Sequence, residues 1–169
     1  MGKKVYVKCK LMWAKVRPED RDMGPQDGSD LAKNIEAKQG IYVANLVIDD
    51  EAREKMIKDG VPNKGLQAQL FKLDSDGNQY YKATRPHFNP KLVNRETGEQ
   101  GVLMGPPKVL RLEGEEYVDW DLNGEDGLLG NLTGATVKLD VWDGKITTME
   151  KILVTDHVPY EDSQDDGGF

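Results

Sequence analysis

KKVYVKCKLMWAKV, residues 3–16, alternates with a period of two: Val5, Val7, Cys9, Leu11 and Trp13 fall on one face, Lys4, Tyr6, Lys8 and Lys10 on the other. That period belongs to a strand with one buried face. On this pattern Trp13 reads as core rather than as a stacking platform, and Cys9 as a small core residue rather than a nucleophile. The open face carries lysines around a tyrosine.

Working outward, residues 17–30 (RPEDRDMGPQDGSD) collect Pro, Gly and Asp without periodicity and read as a long loop, followed by a short turn of helix over Leu31 to Lys38. GIYVANLVID (40–49) is a second strand. In DDEAREKMIKDG the acids crowd the first turn, Lys55 and Lys58 come late, and Gly60 and Pro62 close it, which predicts a helix from about Asp50 to Asp59. LQAQLFKL (66–73) and QYYKATRPHF (79–88) flank DSDGN (74–78), a strong hairpin signal. A loop over 89–107 holds a small hairpin at Glu96 to Gly98, and Lys108 to Leu112 and Glu116 to Trp120 are short strands. After a glycine-rich connection through Gly134, Ala135 to Trp142 and Lys145 to Asp156 make a last hairpin across Asp143-Gly144. These elements predict one mainly β domain over residues 1–155, a small closed antiparallel barrel with one short helix and long loops.

The 169 residues suit a single domain, and 18 Gly with 8 Pro favour a turn-rich β protein over a helical bundle. No run is long and apolar enough for a membrane span, and the N-terminus lacks the apolar core of a signal peptide, so a cytoplasmic location is expected. The net charge of −7 is unevenly placed. Five carboxylates, Asp156, Glu161, Asp162, Asp165 and Asp166, lie in the last stretch with no Lys or Arg, and without them the body is close to neutral. Residues 156–169 therefore read as a disordered acidic tail. It ends in Phe169, a ring beside a carboxylate that an apolar pocket rimmed with cations could capture; a merely solubilising end is the alternative. In the body, Met1 to Pro18 holds Lys3, Lys4, Lys8, Lys10, Lys15 and Arg17 without an acid, and Gly77 to Arg95 holds Lys82, Arg85, Lys91 and Arg95, again without one. Two such stretches can form a cationic groove.

No catalytic constellation emerges. The two histidines, His87 and His157, have no Cys or carboxylate at metal-ligand spacing, and no glycine-lysine phosphate loop is present. Asp74, Asp76 and Asn78 open like a calcium loop but lack its glycine and closing glutamate; Asp121, Asn123 and Glu125 fail in the same way. Asn131-Leu-Thr133 matches a glycosylation pattern that has no meaning in a chain that is not secreted. An enzyme, such as a nuclease on a barrel, lacks paired carboxylates near the basic stretches. Neither a metal nor a cofactor is expected.

The pattern that does emerge is aromatic and basic. Tyr80, Tyr81, His87 and Phe88 interleave with Lys82, Arg85, Lys91 and Arg95. Spaced cations track a line of phosphates and exposed rings stack on unpaired bases, at about 1–3 kcal/mol per base. Strand alternation sends one of Tyr80 and Tyr81 into the core. The candidate DNA contacts are accordingly Lys4, Tyr6, Lys8, Lys10, Tyr80, Tyr81, Lys82, Arg85, His87, Phe88, Lys91 and Arg95.

The tail ending EDSQDDGGF (161–169), joined to a basic first strand with Trp13-Ala-Lys-Val16, a long loop, Gly40-Ile-Tyr-Val43 and an acid-led helix closing at Gly60, resembles bacteriophage single-stranded DNA-binding proteins of the T7 type. The tail is shorter and more dilute in charge than in that type. The resemblance implies an OB-like oligonucleotide-binding barrel that coats unwound DNA in replication and recombination in the cytoplasm of an infected bacterium. It also implies that Asp165, Asp166 and Phe169 contact replication proteins such as a polymerase or helicase/primase. A tethered acidic segment could further compete with DNA for the groove. A non-catalytic interaction or structural β module with a recruiting tail is the other reading. Monomer and homodimer, and DNA and RNA, remain open alternatives.

Overall fold

A computed structural model describes residues 2–122, 127–142 and 146–159. In chain order the first half holds β1 (Gly2–Lys15), α1 (Asp30–Ala37), β2 (Ile41–Val47), α2 (Asp50–Lys58), β3 (Phe71–Leu73) and β4 (Gln79–Pro86). The second holds β5 (Phe88–Val93), β6 (Gln100–Leu103), β7 (Lys108–Glu113), β8 (Glu116–Asp119), β9 (Thr133–Trp142) and β10 (Ile146–Asp156). Short 3-10 turns occupy Pro18–Asp20 and Gly65–Leu70.

β1 is the hub. It pairs antiparallel with β9 from Gly2 to Leu11 and with β2 from Lys10 to Lys15. The resulting eight-stranded sheet runs β3-β4-β2-β1-β9-β10-β7-β8, and β5 and β6 form a separate two-stranded sheet. The sheet is mainly antiparallel, as the hairpin signals imply, except that β7 joins β10 in parallel.

The inward side chains of strands far apart in this order share one core. Val5, Val7 and Leu11 of β1, Leu46 of β2, Tyr81 and Ala83 of β4, Val137 and Leu139 of β9, and Met149 and Ile152 of β10 belong to a single buried cluster. A flat sheet could not bring β4 and β10 to the same core, so the sheet is strongly curled. The Arg85 guanidinium reaches across this open side to the Met149 carbonyl, at 3.3 Å. Among the described residues no ladder joins β4 to β10, and the expected closed barrel is to that extent corrected. Truncating a core residue such as Leu46 or Ile152 to alanine costs about 2–5 kcal/mol.

Two helices cover the sheet: α2, expected from Asp50 to Asp59, and α1, where a short turn of helix is expected over Leu31 to Lys38 and an eight-residue helix forms. α2 starts at Asp49, whose carboxylate accepts from the Ala52 N–H at 2.7 Å, and it buries Met56 in the main core. α1 starts at Ser29, whose hydroxyl accepts from the Ala32 N–H at 3.2 Å, and sets Ile35 against Ile41 and Val43 on the opposite face of β2. The second helix is an eight-residue amphipathic segment with one buried side chain. No helix among the described residues is long and apolar enough to cross a membrane.

Alternation in β1 slips once. Val5, Val7 and Leu11 are buried, but beyond the register shift between Met12 and Lys15 the inward residues are Ala14 and Val16. Trp13 is the residue at the bulge. Its φ is +52°, and its side chain is 61% exposed rather than core. Cys9 does lie against the core, and burial pushes its thiol up to about 12, so it stays protonated.

Candidate nucleic-acid interface

The outward face of the sheet is assembled by register. β4 opposes β2 at Tyr80↔Val47 and Lys82↔Asn45; β2 opposes β1 at Val47↔Lys10 and Asn45↔Met12; β3 opposes β4 at Lys72↔Tyr80. Because side chains alternate across a strand, opposed residues share a face. Lys72, Tyr80 and Lys10 therefore lie in one row across four strands, with Lys82 one row over. The first basic stretch and part of the second meet on this face.

A depression of about 230 Å³ opens there. Trp13, Lys15, Lys72, Tyr80 and Lys82 line it, and Asp22, held at Ile41 by a β-bridge, is the one carboxylate of its wall among the described residues. Lys8 and Lys10 continue the cationic line along β1 and, among the described residues, form no ion pair; neither do Lys15, Lys72 and Lys82. Trp13 is fixed in place from behind: its backbone N–H donates to Asn131 Oδ1 at 2.9 Å. The arrangement offers an exposed indole, a half-exposed phenol ring and several unpaired ammonium groups, which suits a polyanion with free aromatic faces.

Not every sequence candidate reaches this face. Tyr81 is fully buried, packed edge-on against Phe71 at 4.8 Å between ring centroids, and must be withdrawn as a contact. Arg85 points to the other side of β4, where its guanidinium is spent on the carbonyls of Met104 (3.0 Å), Gly105 (2.8 Å) and Met149. Lys4 is clamped between Asp140 (2.6 Å) and Glu150 (3.0 Å), which raises its pKa, chiefly through the Asp140 hydrogen bond. His87 Nδ1 lies 2.6 Å from the Tyr42 hydroxyl, and burial, with Arg21 nearby, lowers its pKa, so it offers no cation at neutral pH. Phe88 covers Gly101, whose φ of +99° and contact with the ring leave no room for a Cβ. Lys91 and Arg95 are exposed but belong to the separate β5–β6 hairpin and its turn. Asp165, Asp166 and Phe169 lie outside the described residues. Tyr6, Lys8, Lys10, Tyr80 and Lys82 remain, joined by Trp13, Lys15 and Lys72.

The other loop motifs have structural work. Asp74 Oδ1 accepts from the backbone N–H groups of Asp76 (2.9 Å) and Asn78 (2.8 Å), which makes the 74–78 segment a hairpin turn; the similar segment from Asp121 falls partly outside the described residues. Asn131 holds Trp13, and the buried Thr133 hydroxyl donates to Gly130 O at 2.8 Å and accepts from the Val158 N–H at 3.1 Å. Among the described residues no group of three or more His, Cys, Asp or Glu is placed to hold a metal ion. No family model, curated protein or solved structure matches the chain.

Proposed function

We propose that the protein is a non-catalytic, sequence-independent single-stranded DNA-binding protein of the T7-type phage class, built on an OB-like barrel left open between β4 and β10, and working in DNA replication and recombination in an infected bacterium. The observation that carries this reading is the exposed Trp13, which lines one depression with Tyr80 and with Lys15, Lys72 and Lys82, lysines that form no ion pair among the described residues. Stacked bases and a phosphate line satisfy both features at once, whereas duplex DNA hides its base faces. The curled sheet centred on a long first strand supports the barrel reading.

The tail's role belongs to the same proposal: residues 160–169 recruit replication proteins through Asp165, Asp166 and Phe169, and compete with DNA for the groove. Its point of attachment favours this. Pro159 bridges Leu129, and Gly130 N–H donates to the Val158 carbonyl at 2.7 Å, next in sequence to the Asn131 that holds Trp13. An acidic segment tethered so near is present at high effective concentration.

An electrophoretic shift that compares single-stranded with duplex DNA of one sequence, and with a second unrelated sequence, tests the proposal. Preferential retardation of both single strands is expected. Equal retardation of duplex, or none of either, would overturn it and leave the interaction-module reading.

A further inference from the structure

We infer that the bound strand does not stop at Trp13 but crosses β1 to a second stacking site formed by Tyr6 and Tyr117, on the β9–β10–β7 side of the same sheet. The inference rests on the DNA-binding reading and extends its site.

The residues come from five strands, β1, β7, β8, β9 and β10. Tyr6 opposes Lys138, Lys138 opposes Lys151, and Thr136, Leu153 and Leu110 lie in the neighbouring row. Tyr117 opposes Leu112 on β7, two residues on from Leu110 and so on the same face. A depression of about 290 Å³ lies between the two tyrosines, floored by Leu110 and Leu153. Tyr6 is 55% and Tyr117 65% exposed, so both rings present area to solvent above an apolar floor. Lys138 Nζ sits 6.0 Å from the centre of the Tyr6 ring.

Charge and continuity select the occupant. Lys151 has no ion pair among the described residues, while Lys138 is 3.7 Å from Glu150, which Lys4 also engages. Asp119, opposite Leu110, is the acid at the far edge. A purely apolar peptide would leave Lys151 unmatched and Lys138 with only its 3.7 Å contact to Glu150, which Lys4 shares. A nucleotide places its base over the leucines, between the rings, with its phosphate toward the lysines. Lys8 and Lys10 occupy β1 between Tyr6 and Trp13, so an unbroken basic line joins the two sites. Seven residues of strand separate the rings by roughly 23 Å. That distance falls within the footprint of about 4–16 nucleotides that one such domain covers.

The test is the dependence of affinity on oligo-dT length in the full-length protein and in Tyr117→Ala. A strand of about four nucleotides fills one site and a strand of about twelve can reach both. The unmodified protein should bind the longer strand more tightly than phosphate count alone provides, and Tyr117→Ala should lose about fivefold to a hundredfold of that gain. A gain as large in the variant as in the unmodified protein would overturn the second site while leaving Trp13 binding intact. If neither length binds the unmodified protein, the DNA-binding reading itself fails.

Discussion

Asn131 Oδ1 accepts the backbone N–H of Trp13 at 2.9 Å, fixing a left-handed residue at the bulge where β1 changes register. Such a backbone is uncommon for a bulky side chain and costs on the order of 1 kcal/mol or more. A large ring kept in a strained position yet exposed to solvent is consistent with the proposed role of Trp13 as a stacking surface.

The first prediction follows from that strain. Trp13→Gly removes little packing and relieves the left-handed backbone, so thermal or denaturant unfolding should show stability unchanged or raised by about 1 kcal/mol. Single-stranded DNA affinity should fall in the same variant. A marked loss of stability would mean that the indole is a packing element.

Salt dependence separates working lysines from spent ones. Lys8→Ala and Lys10→Ala should each flatten the plot of log affinity against log salt by about 0.7, the loss of one phosphate contact on a single strand. Lys4→Ala should leave the slope unchanged, because Asp140 and Glu150 already hold that ammonium. Titrations at several salt concentrations check the contrast.

Tyr81 gives a prediction about pH. Its hydroxyl is buried near the Thr147 hydroxyl but meets hydrogen-bond geometry with no group among the described residues, and burial, only partly offset by Thr147, raises its pKa from 10.0 to about 12. The unfolded chain releases this proton near pH 10 while the fold retains it to about 12, so stability falls as pH rises through that window. Tyr81→Phe should shallow the alkaline fall and, at neutral pH, keep or raise stability by up to about 1 kcal/mol. Unfolding curves at neutral and alkaline pH measure both.

Removing residues 160–169 should tighten DNA binding, and more at low salt than at high, since the competitor is a tethered polyanion. The same truncation should abolish capture of replication proteins. Affinity unchanged at every salt concentration would show that the tail does not compete.

Much of the fold is legible in the residues. The period-two pattern of β1, the acid-led start of α2 and the DSDGN turn are local signals, and each lies where its residues place it. Trp13 departs from the alternation because a bulge adds a residue without changing composition. The signal in the sequence is Val16, an apolar residue an odd number of positions beyond Leu11, and the structure buries it. The basic stretch of residues 77–95 divides for a similar reason: alternation turns Tyr80 and Lys82 outward and Tyr81 inward, and beyond Pro86 the chain leaves the sheet for the β5–β6 hairpin. Lys72 and Tyr117 reach the sheet's outward face only through strand register, which no local pattern encodes.

The most direct measurement is tryptophan emission during titration with oligo-dT, in the unmodified protein and in Trp13→Phe. Stacking of a base on Trp13 predicts saturable quenching in the first and loss of most of it in the second, where Trp120 and Trp142 still report. No quenching in the unmodified protein, or quenching as deep in Trp13→Phe, would contradict the account.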